Sequence, residues 1–200
     1  LGNGIISIDS KYSVTPICNS GTFPCTSFDK NEFINLGYGI RASATNDMRP
    51  ITVKNAVFNE CHFGIYASTI DYSSIVDNEF IISEWTNGST KIMMYGYGLY
   101  LDQCKHFKAE GNYFHSSTTS RGWTGMYVNN TNIGDLSVTN EVYRNKFENL
   151  YSGMVALNNN GGPHQPDGVT FHCDTFYSNT YDIAVLPQPE NPSISTLQGT

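Results

Sequence analysis

Both tryptophans of the chain, Trp85 and Trp123, fall in stretches that also hold Tyr95, Tyr97, His115 and Arg121. Rings clustered with polar neighbours suit sugar binding, because the apolar face of a pyranose stacks on a ring while its hydroxyls need hydrogen-bond partners. Other chemistry is thinly supplied. The five cysteines lack the close pairs of a zinc site. Cys18 and Cys25, in ICNSGTFPC, could close a disulfide across a surface loop in an oxidising compartment, and Cys61, Cys104 and Cys173 read as small buried hydrophobes. His164, Asp167, His172 and Asp174 crowd into GGPHQPDGVTFHCD, where the Gly/Pro context makes turn formation the simpler reading than metal ligation. No metal and no cofactor is expected. A formal charge of −7 argues against nucleic acid or an anionic membrane surface as partner, and no apolar run is long enough to span a membrane.

The elements that must position these groups come from an internal repeat. NKFENLYSGM (145–154) recurs as NEFINLGYGI (31–40), VFNECHFGI (57–65) and DTFYSNTYDI (174–183), each with an apolar residue seven positions after a Phe. In NEFIISEWTNGSTKIMMYGYGL (78–99) and NYFHSSTTSRGWTGM (112–126) the same anchors are separated by 19 and 12 residues. Fixed-phase self-similarity is the signature of a repeat architecture. Short alternating runs with no helical period make every element a strand, the first of each coil being Ile51–Val53, Ser74–Val76, Leu136–Val138 or Val169–Phe171. The bends are assigned to Asn55, Asn78, Asn112, Asn140 or Asn145 and Asp174, because Asn and Asp tolerate the left-handed conformation. Gly39, Gly64, Gly98, Gly125 and Gly153 are read as places where the chain turns without a side chain.

Three short strands per coil, stacked about 4.8 Å apart, predict an all-β, right-handed single-stranded parallel β-helix, a solenoid of about six to seven coils. Residues 1–186 form it, and 187–200 are a Pro-rich linker or the start of a following coil or cap. Phe33, Phe58, Phe80, Phe114, Phe147 and Phe176 are expected as an inward stack, with Ile40, Ile65, Leu99, Met126, Met154 and Ile183 inward on the third strand. Tyr66, Tyr100 and Tyr127 then point outward at one phase, an exposed ladder beside Asp102 and Asn129. The alternative is that this ladder only stabilises strand stacking. Residues 81–97 and 115–124 are insertions that should project side by side from one corner, and insertions on one face of a solenoid often bind. A glycosidase needs two carboxylates roughly 5–9.5 Å apart; Glu32 and Glu79 share a phase two coils apart, and Asp102 meets no carboxylate in either neighbouring coil.

The strand-and-bend pattern I-x-x-N-x-F followed by G-I-x-[LA] resembles the parallel β-helix repeat family. TPICNSGTFPCTSF, GVTFHCDTFYSNTYDIAVL and the trailing LQGT are similar to the exported surface proteins of gliding Gram-negative bacteria, cargo of type IX secretion. That resemblance implies a secreted or cell-surface module of a longer chain, working beside other domains as spacer and adhesin. The reading is a non-catalytic β-helix module that meets cell-surface or extracellular polysaccharide. Its candidate ligand-binding residues are Tyr66, Trp85, Tyr95, Tyr97, Tyr100, Asp102, His115, Arg121, Trp123, Tyr127 and Asn129. The rival reading is a lyase or glycoside hydrolase on acidic polysaccharide, using Asp102, Glu84 and His115.

Overall fold

The computed structural model describes residues 2–21, 23–45, 48–83, 85–86, 93–116, 122–131, 140–158, 160 and 168–186. Each coil gives one strand to each of three sheets, as in Ile51–Lys54, Ala56–Asn59 and Phe63–Ser68. The front sheet has seven strands, from Asn3–Ile8 to Tyr181–Leu186; a side sheet runs from Tyr12–Val14 to Val169–His172, and a back sheet from Asn31–Ile34 to Thr175–Tyr177. Every pairing within these sheets is parallel, as in Phe58↔Phe80↔Phe114. Among the described residues antiparallel pairs occur only in excursions, Ile17–Cys18 with Phe28–Asp29 and Trp85–Thr86 with Met93–Met94. Cys18 and Cys25 are disulfide-bonded within the first. Among the described residues no helix is long and apolar enough to cross a membrane.

The interior is the one expected. The six Phe rings stack at 4.6–4.9 Å between centroids, with planes within 4–9° of parallel. Each buried ring contributes roughly 2–3 kcal/mol by area. Ile40, Ile65, Leu99, Met126 and Met154 are fully buried, but Ile183 and Val185 of the final described coil are 43% and 48% exposed, since no further described coil lies against them.

Four expectations need correction. The glycines are not turns: Gly39, Gly64, Gly98, Gly125 and Gly153 lie inside front-sheet strands, and none has a positive φ. They are small because coils approach there; a Cβ on Gly98 would lie 2.6 Å from the Gly125 carbonyl oxygen and 2.7 Å from the Phe114 ring. The left-handed residues are not the repeated asparagines but those just before them, Asp77, Gly111, Arg144 and Cys173, with Asn55 alone as assigned. Cys173 is therefore exposed at a bend, whereas Cys61 and Cys104 are buried and give their thiols to the Phe33 and Ala67 carbonyls. Finally, Leu136–Val138 lies outside the described residues. The side-sheet strand of that coil is Asn140–Tyr143, and that of the coil before it, Lys108–Glu110, carries too little apolar character to be seen in sequence.

Freed from the bend, the asparagines form a buried column. Asn78, Asn112 and Asn145 each accept at Oδ1 the backbone N–H of the preceding coil, and donate Nδ2 to the carbonyls of Val53, Ile75 and Ala109. Nδ2 of Asn78 and Asn112 also reaches Oδ1 of the next asparagine at 3.0 Å. The column ends on Asp174, whose Oδ1 accepts from Asn145 while Oδ2 is buried with no hydrogen-bond partner. The next carbonyl in that register belongs to Val142, to which an asparagine would donate. Burial pushes the Asp174 carboxyl up, against the Asn145 hydrogen bonds and the nearby His172.

Two measurements follow. Gly98→Ala should destabilise by about 1–3 kcal/mol in denaturant unfolding, while Gly37→Ala, whose Cβ would meet nothing closer than 3.5 Å, should be nearly neutral. Asp174→Asn should raise stability at neutral pH by about 1 kcal/mol by completing the column. Because the folded carboxyl holds its proton more tightly, the wild-type Asp174 contribution is fully present below the ordinary carboxyl pKa of about 3.9 and is lost as pH rises through the higher folded value. The gain over wild type should therefore shrink on acidification.

Candidate functional site

The outer face of the front sheet is aromatic because three positions repeat in register. One column runs Tyr38, Phe63, Tyr97, Thr124, Ser152, Tyr181, and a second runs Arg41, Tyr66, Tyr100, Tyr127, Val155, Ala184. The third, Ser43, Ser68, Asp102, Asn129, Leu157 and Leu186, supplies the polar edge. Rings within a column stack: Tyr38 on Phe63 at 4.9 Å, Phe63 on Tyr97 at 5.0 Å, Tyr66 on Tyr100 at 5.2 Å and Tyr100 on Tyr127 at 4.6 Å. Between columns the rings meet edge to face, as Tyr97 meets Tyr127 at 85°. The Arg41 guanidinium lies over the Tyr38 ring at 5.3 Å, closing one end of the first column.

This packing alters what the ladder offers. Tyr66, Tyr100 and Tyr127 do line up as expected, but the faces of Tyr66 and Tyr100 are stacked against neighbouring coils, so a sugar cannot lie flat along the row. The ring columns stop where small residues replace them: Thr124 and Ser152 follow Tyr97, and Val155 and Ala184 follow Tyr127. A notch of about 610 Å³ opens there, with Tyr97 and Tyr127 on one side and Tyr181 on the other. Trp123, Tyr95 and Tyr151 flank it; Tyr95 meets Trp123 edge to face at 4.3 Å, and Trp123 packs on Tyr151 at 5.6 Å. The Trp123 indole Nε1 is buried without an acceptor.

Asp102 sits at the edge of this face, accepting from Asn129 Nδ2 at 2.8 Å and Ser68 Oγ at 3.4 Å, and Asn158 donates on to Asn129. Burial first, then Tyr127 and Asp102, push the Tyr100 phenol far above its ordinary range. Burial, with Tyr97 and Asp102, raises Tyr127 to about 12. At neutral pH both hydroxyls are thus protonated donors.

Several expected members are elsewhere. His115 lies on the back sheet, stacked on Tyr113 and 3.2 Å from Glu79, so it joins neither the aromatic face nor Asp102. Trp123 belongs to the strand Gly122–Asn129 and not to a projecting loop, and Tyr97 likewise opens the strand Tyr97–Asp102. Arg121 and Glu84 lie outside the described residues, as do His164, Asp167 and the side chain of Trp85. Tyr38, Phe63, Tyr151 and Tyr181 went unrecognised, although the residue before the repeated Gly reads Tyr38, Phe63, Tyr97 and then Thr124.

Residues 5–181 match the family described as NosD, periplasmic copper-binding protein. The chain belongs to the NosD family. Its fold is accordingly a right-handed parallel β-helix, and the family's periplasmic description places it outside the cytoplasm, in keeping with the Cys18–Cys25 disulfide. No curated protein and no solved structure matches the chain. The described donors do not fit a copper site. Among the described residues no three His, Cys, Asp or Glu side chains come together, and Met126 and Met154 are sealed in the core. Cys61 and Cys104 are buried apart from one another, each held to backbone carbonyls, and burial pushes both thiols up, away from the thiolate a metal needs.

Removing the negative charge beside the ladder is testable by ultraviolet titration of the tyrosines. Asp102→Asn should let Tyr100 and Tyr127 ionise at lower pH than in the wild type, with both still above the ordinary tyrosine range because burial is the larger cause.

Proposed function

We propose that this NosD-family chain is a non-catalytic carbohydrate-binding module of the cell surface, a rigid spacer and adhesin that engages polysaccharide in the notch between Tyr127 and Tyr181. The observation that supports it is the interruption of the aromatic columns: no ring follows Tyr127 in its column, where Val155 and Ala184 stand instead, beside a largely apolar hollow. An apolar ring face and neutral phenol donors match a pyranose, which presents an apolar face and hydroxyls together. Export with the surface proteins of gliding Gram-negative bacteria is part of the same reading and rests on the sequence resemblance. The lyase or hydrolase reading draws no support from the geometry, since Asp102 and His115 lie on different sheets. Copper forms no part of this reading, since the described donors do not assemble for it.

Affinity electrophoresis through gels containing polysaccharides tests the reading. The wild-type chain should be retarded, and Tyr127→Ala should weaken retention roughly tenfold, the effect of losing one stacking ring. An unchanged thermal unfolding curve for the variant would show that the loss is not one of fold, and equal retardation of both proteins would refute the site.

A further inference from the structure

We infer that the notch takes one uncharged sugar unit at a time, stacked on Tyr127 where the ring of a further coil would lie, so that a bound chain crosses the rod and does not run along it. This rests on the carbohydrate reading above and adds the class of sugar and the direction of the chain.

Direction follows from which faces are free. Phe63 and Tyr100 are each sandwiched between rings of the coils on either side, and Arg41 closes the Tyr38 end. Successive sugars laid along the axis would meet ring edges and gain little stacking. At Tyr127 the stack ends over Val155, and Tyr181 rises again three strands beyond Tyr97 in the neighbouring column. Three steps of strand spacing span roughly 14 Å, enough for a sugar ring inserted in continuation of the stack and too short for an extended polymer lying along the rod. The rest of the chain must leave across the sheet.

The class follows from charge. None of the described residues lining the notch is charged. Asp102, at the polar edge of the face, is a carboxylate, and the only guanidinium stacked on the described columns, that of Arg41, lies at the opposite end over Tyr38. A uronate or sulfate entering here would lose its hydration with no cation among the described lining residues to replace it, against an overall charge of −7. A neutral hexose carries no charge to desolvate and can pair its hydroxyls with the phenols of Tyr97 and Tyr127.

The test uses the whole chain with Trp85→Phe, which leaves Trp123 as the single indole and its fluorescence as the readout. Neutral gluco- and manno-oligosaccharides of increasing length are titrated beside polygalacturonate and alginate. Binding should be seen with the neutral series, with Kd constant within about twofold beyond the shortest oligomers, and not with the polyuronates. Val155→Tyr, which supplies the missing ring, should abolish binding while unfolding as cooperatively as the parent. Affinity that climbs with every added unit would overturn the crossing geometry, and polyuronate binding would overturn the neutral class; in either case carbohydrate recognition survives. Failure of both series would remove the carbohydrate reading itself. Sedimentation showing a dimer that Val155→Tyr dissolves, with no sugar bound, would reassign the notch as an interface between copies of the chain.

Discussion

The close approach of one coil to the next, set where a glycine without a side chain meets the carbonyl and the Phe ring of the following coil, fixes the rest of the molecule. A Cβ on any of Gly39, Gly64, Gly98, Gly125 or Gly153 would fall within 2.7 Å of a backbone oxygen, so the coils would have to move apart to admit it. Each Phe can therefore occupy the interior only because the Gly of the preceding coil has yielded the space. That mutual requirement holds the Phe column at its 4.6–4.9 Å spacing. The asparagine column beside it can then bridge coils with both amide atoms, and rings on the outer face are forced into the same spacing.

Spacing imposed from inside governs the outer surface. A ring repeated at one phase must lie against its counterpart in the next coil, so repetition of Tyr66, Tyr100 and Tyr127 buries aromatic faces in place of presenting them. The surface most suited to stacking an external ring is found where repetition fails, at Thr124, Ser152, Val155 and Ala184. Regularity builds the rod and irregularity opens it.

Much of this was legible because a solenoid writes its geometry into sequence period. The Phe-to-apolar spacing of seven gave the coils, the inward and outward assignment and the outward tyrosine phase, all of which the register reproduces. Roles that depend on direction were not legible. Asparagine serves equally a left-handed bend and a buried amide column, and only the position of the left-handed residue one step earlier, at Asp77 or Arg144, separates the two. Glycine at a turn and glycine at a close approach look alike in a single chain. Lys108–Glu110 gives no pattern because its one inward residue is Ala109.

The notch was harder still, because it is made of residues that do nothing conspicuous. Aromatic abundance in the sequence points to the insertions and their tryptophans and takes in His115, which the strand places on another sheet. A binding hollow in a repeat protein is better sought as a gap in a column: positions at which a large side chain, having recurred in several coils, gives way to a small one for one or two coils. Applied to the residue preceding the repeated Gly, that rule reads Tyr38, Phe63, Tyr97, Thr124, Ser152, Tyr181. Applied to the residue following the inward anchor, it passes from Tyr127 to Val155 and Ala184 at the neighbouring phase. The two adjacent gaps are offset by one coil and overlap at Ser152 and Val155, and that overlap opens the notch in which the proposed site lies.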